Sequence, residues 1–142
     1  MLENEKVIDS GYLLSPRDLC GLEFIPTLID SGVTSFKIEG RLKSPEYVAI
    51  VTRVYRKYID LYLSGKPYEI DEKDRNDLLQ VFNRGNFSEG HLNRLPNQNL
   101  VCKEKQNNMG IYIGNVSSYN HKKGYISLNL NSRLDLRRLH NF

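Results

Sequence analysis

The sequence predicts a mixed α/β chain that finishes in a β-hairpin. Three observations carry this expectation. An apolar stripe of helical period runs between a Ser44-Pro45 start and a Ser64-Gly65 stop, a short β-branched segment at 33–38 precedes it, and the period changes to two beyond residue 109. A helix–strand–helix unit with short connections belongs to parallel α/β sheets or barrels. One such unit cannot cover both faces of its own strand, and a lone hairpin is marginal in water. Both halves therefore read as pieces whose packing partners are missing from the chain.

The elements follow in order. Residues 1–15 have no clear period, although Leu13-Leu14 suits the end of a short strand. Ser15-Pro16-Arg17-Asp18 reads as a helix start, a Ser cap with Pro at the first helical position. The segment after it carries Leu19, Leu22, Phe24, Ile25, Leu28 and Ile29, and Pro26 divides it into two short helices or kinks it. Gly32 suits the left-handed position that closes a helix. Val33–Ile38 then alternates, with Thr34, Phe36 and Ile38 on one side, and is predicted to be a strand. Glu39–Lys43 is the loop after it, and Ser44-Pro45-Glu46 opens the next helix.

That helix has the strongest pattern in the chain. Tyr47, Val51, Val54, Tyr58 and Leu61 recur at three- and four-residue steps, Val48, Tyr55, Ile59 and Tyr62 widen the stripe, and Arg53, Arg56, Lys57 and Asp60 face away. A second, more polar helix runs from an Asp71 cap to about Phe82, with Asp74 three residues after the cap. Asn83–Leu92 is rich in turn residues, and 93–108 is polar and reads as a linker or long loop. Gly110–Val116 and Tyr125–Leu130 are strand-like, joined by a hairpin loop at 119–124.

Composition bounds the function classes. The 142 residues are 39% hydrophobic and 26% charged, which suits a modest core and excludes a disordered charged tail. No apolar run is long enough to span a membrane, so no membrane partner is expected. The N-terminus is acidic and polar, without the basic start and apolar stretch of a secretory signal, so a cytoplasmic location is the default expectation. Two cysteines, Cys20 and Cys102, do not make a disulfide framework. A net charge of +3 permits nucleic-acid contact without arguing for it, because the charges are interspersed.

The densest polar cluster is Lys37, Glu39, Arg41 and Lys43, at the carboxyl end of the predicted strand. Ligands of α/β sheets bind at that end. There Glu39 and Arg41 are the candidate catalytic pair, as acid/base and anion clamp, and Lys37 and Lys43 are candidate substrate contacts. Free amides at the start of the Ser44-Pro45 helix would add to an anion site. The alternative is structural: Glu39 pairs with Arg41 or Arg53 and holds the loop. Cys20, read into the first turn of a helix, is either a thiolate favoured by the helix dipole, and so a nucleophile or metal ligand, or a small buried hydrophobe. Asn83-Arg84-Gly85 with Phe87 and Gly90 either wraps a ligand or anchors Phe82 and Phe87 where the chain crosses between domains. His91, His121 and His140 lack ligand spacing. The chain has no glycine-rich phosphate loop, zinc motif, Ser-His-Asp pattern or dinucleotide fingerprint.

Four stretches together resemble the peptidase U32 family, the collagenase-like proteases: Tyr12-Leu13-Leu14-Ser15-Pro16-Arg17-Asp18-Leu19-Cys20, Gly32–Tyr47 with its Lys37-Ile38-Glu39-Gly40-Arg41 block, Tyr55–Asp60, and Phe82–Gly90. The resemblance runs from about residue 11 to 130. It implies the C-terminal piece of a TIM-like (β/α) barrel over 1–92, a linker over 93–108, and the first hairpin of a small β-rich domain over 109–142. The basic end, Leu134–Phe142, departs from the family pattern, and a truncation or frameshift would explain both ends. The family implies peptide hydrolysis, or hydroxylation of a tRNA uridine, with peptide or tRNA as partner of a full-length homologue. A non-enzymatic role for the hairpin, positioning a substrate or partner, is the third expectation. Some relatives hold a 4Fe-4S cluster on four Cys, one of them resembling Cys20. The other three would lie upstream of Met1, so no cofactor and no independent activity are expected of this chain. The sequence leaves the oligomeric state open.

Overall fold

A computed structural model describes residues 2–3, 6–7, 9–93 and 100–131. The chain is a mixed α/β protein that divides into two compact units, 1–111 and 112–142. The first unit holds β1 (Leu2–Glu3), β2 (Lys6–Val7), β3 (Asp18–Leu19), α1 (Ile25–Asp30), α2 (Pro45–Leu63), α3 (Glu72–Val81) and β4 (Phe87–Ser88). A 3₁₀ turn, Leu22–Phe24, leads directly into α1. β1 and β2 pair antiparallel, while β3 and β4 pair in parallel with Asp18 opposite Phe87 and Leu19 opposite Ser88. The second unit is a hairpin of β5 (Gly114–Asn120) and β6 (Tyr125–Leu130).

The core forms where α2 meets the 3₁₀ turn, α1 and α3. Leu22, Ile25, Val54 and Tyr58 are fully buried, with Val51 and Leu78 beside them. Each such apolar side chain contributes roughly 1.5–3 kcal/mol by leaving water. Ser44 starts α2 as expected, its Oγ accepting from Tyr47 N–H at 3.3 Å with Pro45 at the first position. Asp71 caps α3 through Lys73 N–H at 2.8 Å. Pro26 sits in the first turn of α1 and marks the junction of two short helices, where its missing N–H costs nothing. Gly32 closes that helix at φ 88°.

A buried polar network joins α2 to α3. Tyr58 Oη donates to Asp74 Oδ2 at 2.9 Å and accepts from Asp71 N–H at 2.7 Å, so its hydroxyl is satisfied in both roles. Asp74, only 4% exposed, also accepts from Lys57 Nζ at 2.5 Å and lies 4.0 Å from Arg53 Nη1. Arg53 Nη2 reaches Asp77 Oδ2 at 2.9 Å. Two side chains expected to face away, Arg53 and Lys57, are therefore the cations that make burial of these carboxylates tolerable.

Four local expectations are corrected. Leu13-Leu14 forms a turn, not a strand end. No helix starts at Ser15-Pro16: Pro16 bridges Val101 antiparallel, and Cys20 N–H donates to Ser88 O at 2.9 Å, a sheet bond in place of a helical one. Val33–Ile38 keeps part of its alternation, with Phe36 and Ile38 half-buried and Thr34 exposed, but it is not a strand. A strand needs a neighbour to take its backbone groups, and no described strand pairs with this segment. The described part of the expected linker or long loop has no helix or named strand, and over 100–103 it is hydrogen-bonded, with Arg17 N–H donating to Leu100 O, Cys102 N–H to Ser15 O, and Tyr12 N–H to Lys103 O. The first hairpin strand begins at Gly114, not Gly110, because 108–110 is engaged by Asn83: Met109 N–H donates to Asn83 O at 2.7 Å and Asn83 Nδ2 donates to Gly110 O at 2.6 Å. Leu134–Phe142 lies outside the described residues.

The hairpin carries a register shift between Val116 and Ser118. Cross-strand pairing places Tyr119 with Ile126 and Val116 with Leu128 on one face, and Asn115 with Asn129 and Ser118 with Ser127 on the other. The apolar members stand exposed.

Burial alone would push the Asp74 carboxyl up, but hydrogen bonds from Lys57 and Tyr58 and the charges of Lys57 and Arg53 outweigh it and hold the pKa below the ordinary value. A folded pKa below the unfolded one gives stability that is complete above the unfolded value, ~3.9, and is lost as pH falls through the folded one. Asp74→Ala is expected to cost roughly 3 kcal/mol in urea unfolding, the lower edge for a broken buried pair because both cations are half exposed. Asp74→Asn is expected to flatten the acid limb of the stability profile, read by circular dichroism between pH 2 and 6.

Candidate functional site

The first unit encloses a cavity of about 470 Å³. Its walls are apolar and aromatic: Leu19, Phe36, Ile38, Val51, Phe82 and Phe87 all contribute. Its polar atoms come from Asp18, Cys20, Lys37, Glu39, Lys43, Tyr55 and Arg84. Four segments far apart in sequence build it, namely β3 with the turn after it, the 36–43 segment, the inner face of α2, and the 82–87 crossover.

The crossover is held by local chemistry. Asn83 Oδ1 accepts from Asn86 N–H at 2.7 Å, which closes the turn around Gly85. Gly85 has φ 80°, and a Cβ there would lie 2.8 Å from Cys102 Sγ, so only glycine fits. Arg84 is thereby aimed at Asp18, donating from Nε and Nη2 to the two carboxylate oxygens at 3.2 Å each. Both partners are about four-fifths buried, which makes this fork the best-shielded ion pair among the described cavity residues.

Lys43 is the cation that this pairing leaves over. Its ammonium lies against the Phe82 ring and 5.2 Å from the Tyr47 centroid, and among the described residues it has no ion-pair partner. Burial lowers its pKa, with Asp18 pulling upward and Arg84 downward. Arg84 lies 5.1 Å from the same Phe82 ring. Two cations thus pack against one aromatic ring of the cavity wall.

The remaining expected residues stand as follows. Lys37 Nζ pairs with Glu39 Oε2 at 3.7 Å, but the side chains are 88% and 69% exposed, so the pair contributes little. Arg41 reaches Glu39 through its backbone N–H, at 3.1 Å to Oε1, and its side chain is not part of the cavity wall. The structure therefore gathers Lys37, Glu39, Lys43 and Cys20 around one space and leaves the Arg41 guanidinium outside it. Glu39 pairs with Lys37, not with Arg53, which is committed to Asp77.

Cys20 is not in the first turn of a helix. It follows β3, is buried, and its thiol pKa is pushed up by burial, so the helix-dipole argument for a thiolate does not apply. Gly21 N–H donates to Tyr55 Oη at 2.9 Å, which fixes the backbone beside the thiol. Burial pushes the Tyr55 phenol up to about 12. A 4Fe-4S cluster needs four thiolates. The chain has two cysteines, and no group of three or more His, Cys, Asp or Glu among the described residues is placed to hold a metal ion. Its own residues do not make a cluster site.

Asp18, Tyr55, Phe36 and Phe82 were not singled out as site residues from sequence. Asp18 and Arg84 lie 66 positions apart, and no spacing rule joins them. Among the described residues, no helix is long and apolar enough to cross a membrane.

Residues 2–101 match the family described as peptidase family U32. An uncharacterized protease of Methanocaldococcus jannaschii is 46% identical over 80 residues, 56% of this chain and 19% of the relative. A protein named collagenase from Porphyromonas gingivalis is 44% identical over 86 residues, 59% of this chain and 23% of the relative. The tRNA hydroxylation protein P2 of Bacillus subtilis is 42% identical over 77 residues, 51% of this chain and 25% of the relative. The chain thus spans about a fifth to a quarter of the length of these relatives. No solved structure matches.

With the thiol pKa raised and both cysteines buried, Cys20 and Cys102 are expected to react with Ellman's reagent at least about tenfold more slowly than glutathione at pH 8, and fully once urea unfolds the chain. Rapid labelling of the native chain at Cys20 would show that the thiol is open and ionised.

Proposed function

From the chain's membership of peptidase family U32, we propose that it supplies the substrate pocket of an RNA-modifying protein of that family, one that takes a single uridine-type base for hydroxylation. The observation that carries this reading is the pairing of an aromatic cavity with two cations in its wall. A nucleobase offers a flat π-face for Phe36 and Phe87 and brings a phosphate for Lys43, with Arg84 nearby. The names of several relatives, the Bacillus subtilis protein among them, support the same direction. In this reading Glu39, its carboxylate oriented by the Arg41 N–H, is the acid/base group at the mouth, and Lys37 adds charge to the rim. The (β/α) barrel to which this piece would belong, and any iron–sulfur cluster with Cys20 as one ligand, are proposed only for a fuller protein.

Peptide hydrolysis is the second reading, favoured by the relative named collagenase. It asks for a nucleophile or an activated water. Cys20, with its thiol pKa raised, is a poor nucleophile, and Glu39 has no partner histidine among the cavity residues.

Unmodified tRNA, titrated against the chain between 50 and 300 mM salt, is expected to bind with a log–log slope set by the phosphates contacted. Lys43→Gln is expected to weaken binding several-fold and to reduce that slope by about 1. Salt-independent binding of tRNA, or cleavage of gelatin that survives Cys20→Ser, would favour hydrolysis.

A further inference from the structure

We propose that the site continues past Arg84 into a second subsite, which holds the nucleotide next to the one in the aromatic cavity. This inference rests on the RNA reading and adds a position that it does not require. The observation is that Arg84 lines two cavities. One is the aromatic pocket, and the other, about 510 Å³, is bounded by Tyr12, Leu14, Ser15, Gln106 and the same Arg84. A ligand reaching from one into the other would bring its connecting group close to this side chain.

The chemistry at the junction suits a phosphodiester. Asp18 occupies Nε and one Nη2 proton of Arg84, so the Nη1 protons remain available. Lys43 lies against the same Phe82 ring, and two cations against one carboxylate leave a net positive charge where the linkage would lie. The carboxylate limits that excess to about one charge, which matches one phosphodiester.

The second cavity is built to hold a flat group. The 11–15 turn is fixed by its backbone, with Tyr12 N–H donating to Lys103 O, Leu13 N–H to Gly11 O and Ser15 N–H to Tyr12 O, each at 3.0 Å. Gly11 makes the close approach possible, because a Cβ there would lie 2.5 Å from Lys103 O. The turn presents Tyr12 with 46% of its surface exposed and Leu14 with 96%. A tyrosine ring on a rigid backbone is a stacking platform with little conformational entropy to lose. The Gln106 amide offers a donor and an acceptor for a base edge. No carboxylate lines this cavity to repel an anionic strand.

The experiment compares uridine 5′-monophosphate with the trinucleotide UpUpU by calorimetric titration of the full chain at low salt. The two ligands carry about the same charge, so a difference between them reports the extra nucleotides. UpUpU is expected to bind about tenfold more tightly or better, Tyr12→Ala to return it to the affinity of the monophosphate, and Tyr12→Phe to keep the gain. The only described hydrogen bonds of Tyr12 are made by its backbone, so the variants are expected to fold, checked by far-ultraviolet circular dichroism. Equal affinities for the two ligands would overturn the second subsite and leave the aromatic pocket standing. Binding of neither would overturn both readings. Tighter binding of the tripeptide Gly-Pro-Ala than of UpUpU, lost in Tyr12→Ala, would overturn the nucleotide assignment in favour of a peptide.

Discussion

The Tyr58 hydroxyl, satisfied as donor to Asp74 and as acceptor from Asp71, is the contact on which the first unit depends. A buried carboxylate is costly unless it is paired and hydrogen-bonded. Asp74 is both, and the described partners of its carboxylate, Lys57, Tyr58 and Arg53, lie on α2. The consequence is a fixed register between α2 and α3. The chain leaves α3 directly into Phe82, Asn83 and Arg84, so the same contact determines where the cavity's aromatic wall and its guanidinium stand. Arg75 extends the bracing by pairing with Glu23 on the 3₁₀ turn, and Tyr68 Oη donates to Leu22 O at 2.5 Å on the same turn.

The cavity divides its labour by distance from water. At the mouth, Lys37 and Glu39 are exposed and weakly coupled, free to meet a ligand at little cost. Deeper in, Asp18 and Arg84 hold each other in a fork that keeps its shape with or without a ligand. Lys43 lies between these extremes. It is partly desolvated and rests on aromatic rings, which makes it the cation best placed to gain from an incoming anion.

The hairpin unit poses a different physical problem. Its two faces differ in polarity, yet the apolar residues Val116, Tyr119, Ile126 and Leu128 are exposed. Two strands alone bury too little surface to hold themselves together in water.

Elements defined by nearby residues were legible in the sequence. The Ser44-Pro45 start, the α2 stripe, the Asp71 cap and the Gly32 stop each depend on side chains within one or two helical turns, so periodicity and capping rules reach them. The Lys37-Glu39-Lys43 cluster was visible for the same reason. Pairing was not. Val33–Ile38 has a strand's alternation in sequence but no partner strand among the described residues, whereas Asp18–Leu19 has little strand pattern and pairs with a segment about seventy residues away because the crossover delivers Phe87–Ser88 to it. The Asp18–Arg84 fork, the burial that raises the Cys20 thiol and the exclusion of Arg41 from the cavity arise only when four distant segments converge. Local sequence determines which backbone conformations and charges are on offer, while desolvation and pairing depend on what the fold brings within a few ångströms, and that was decided in three dimensions.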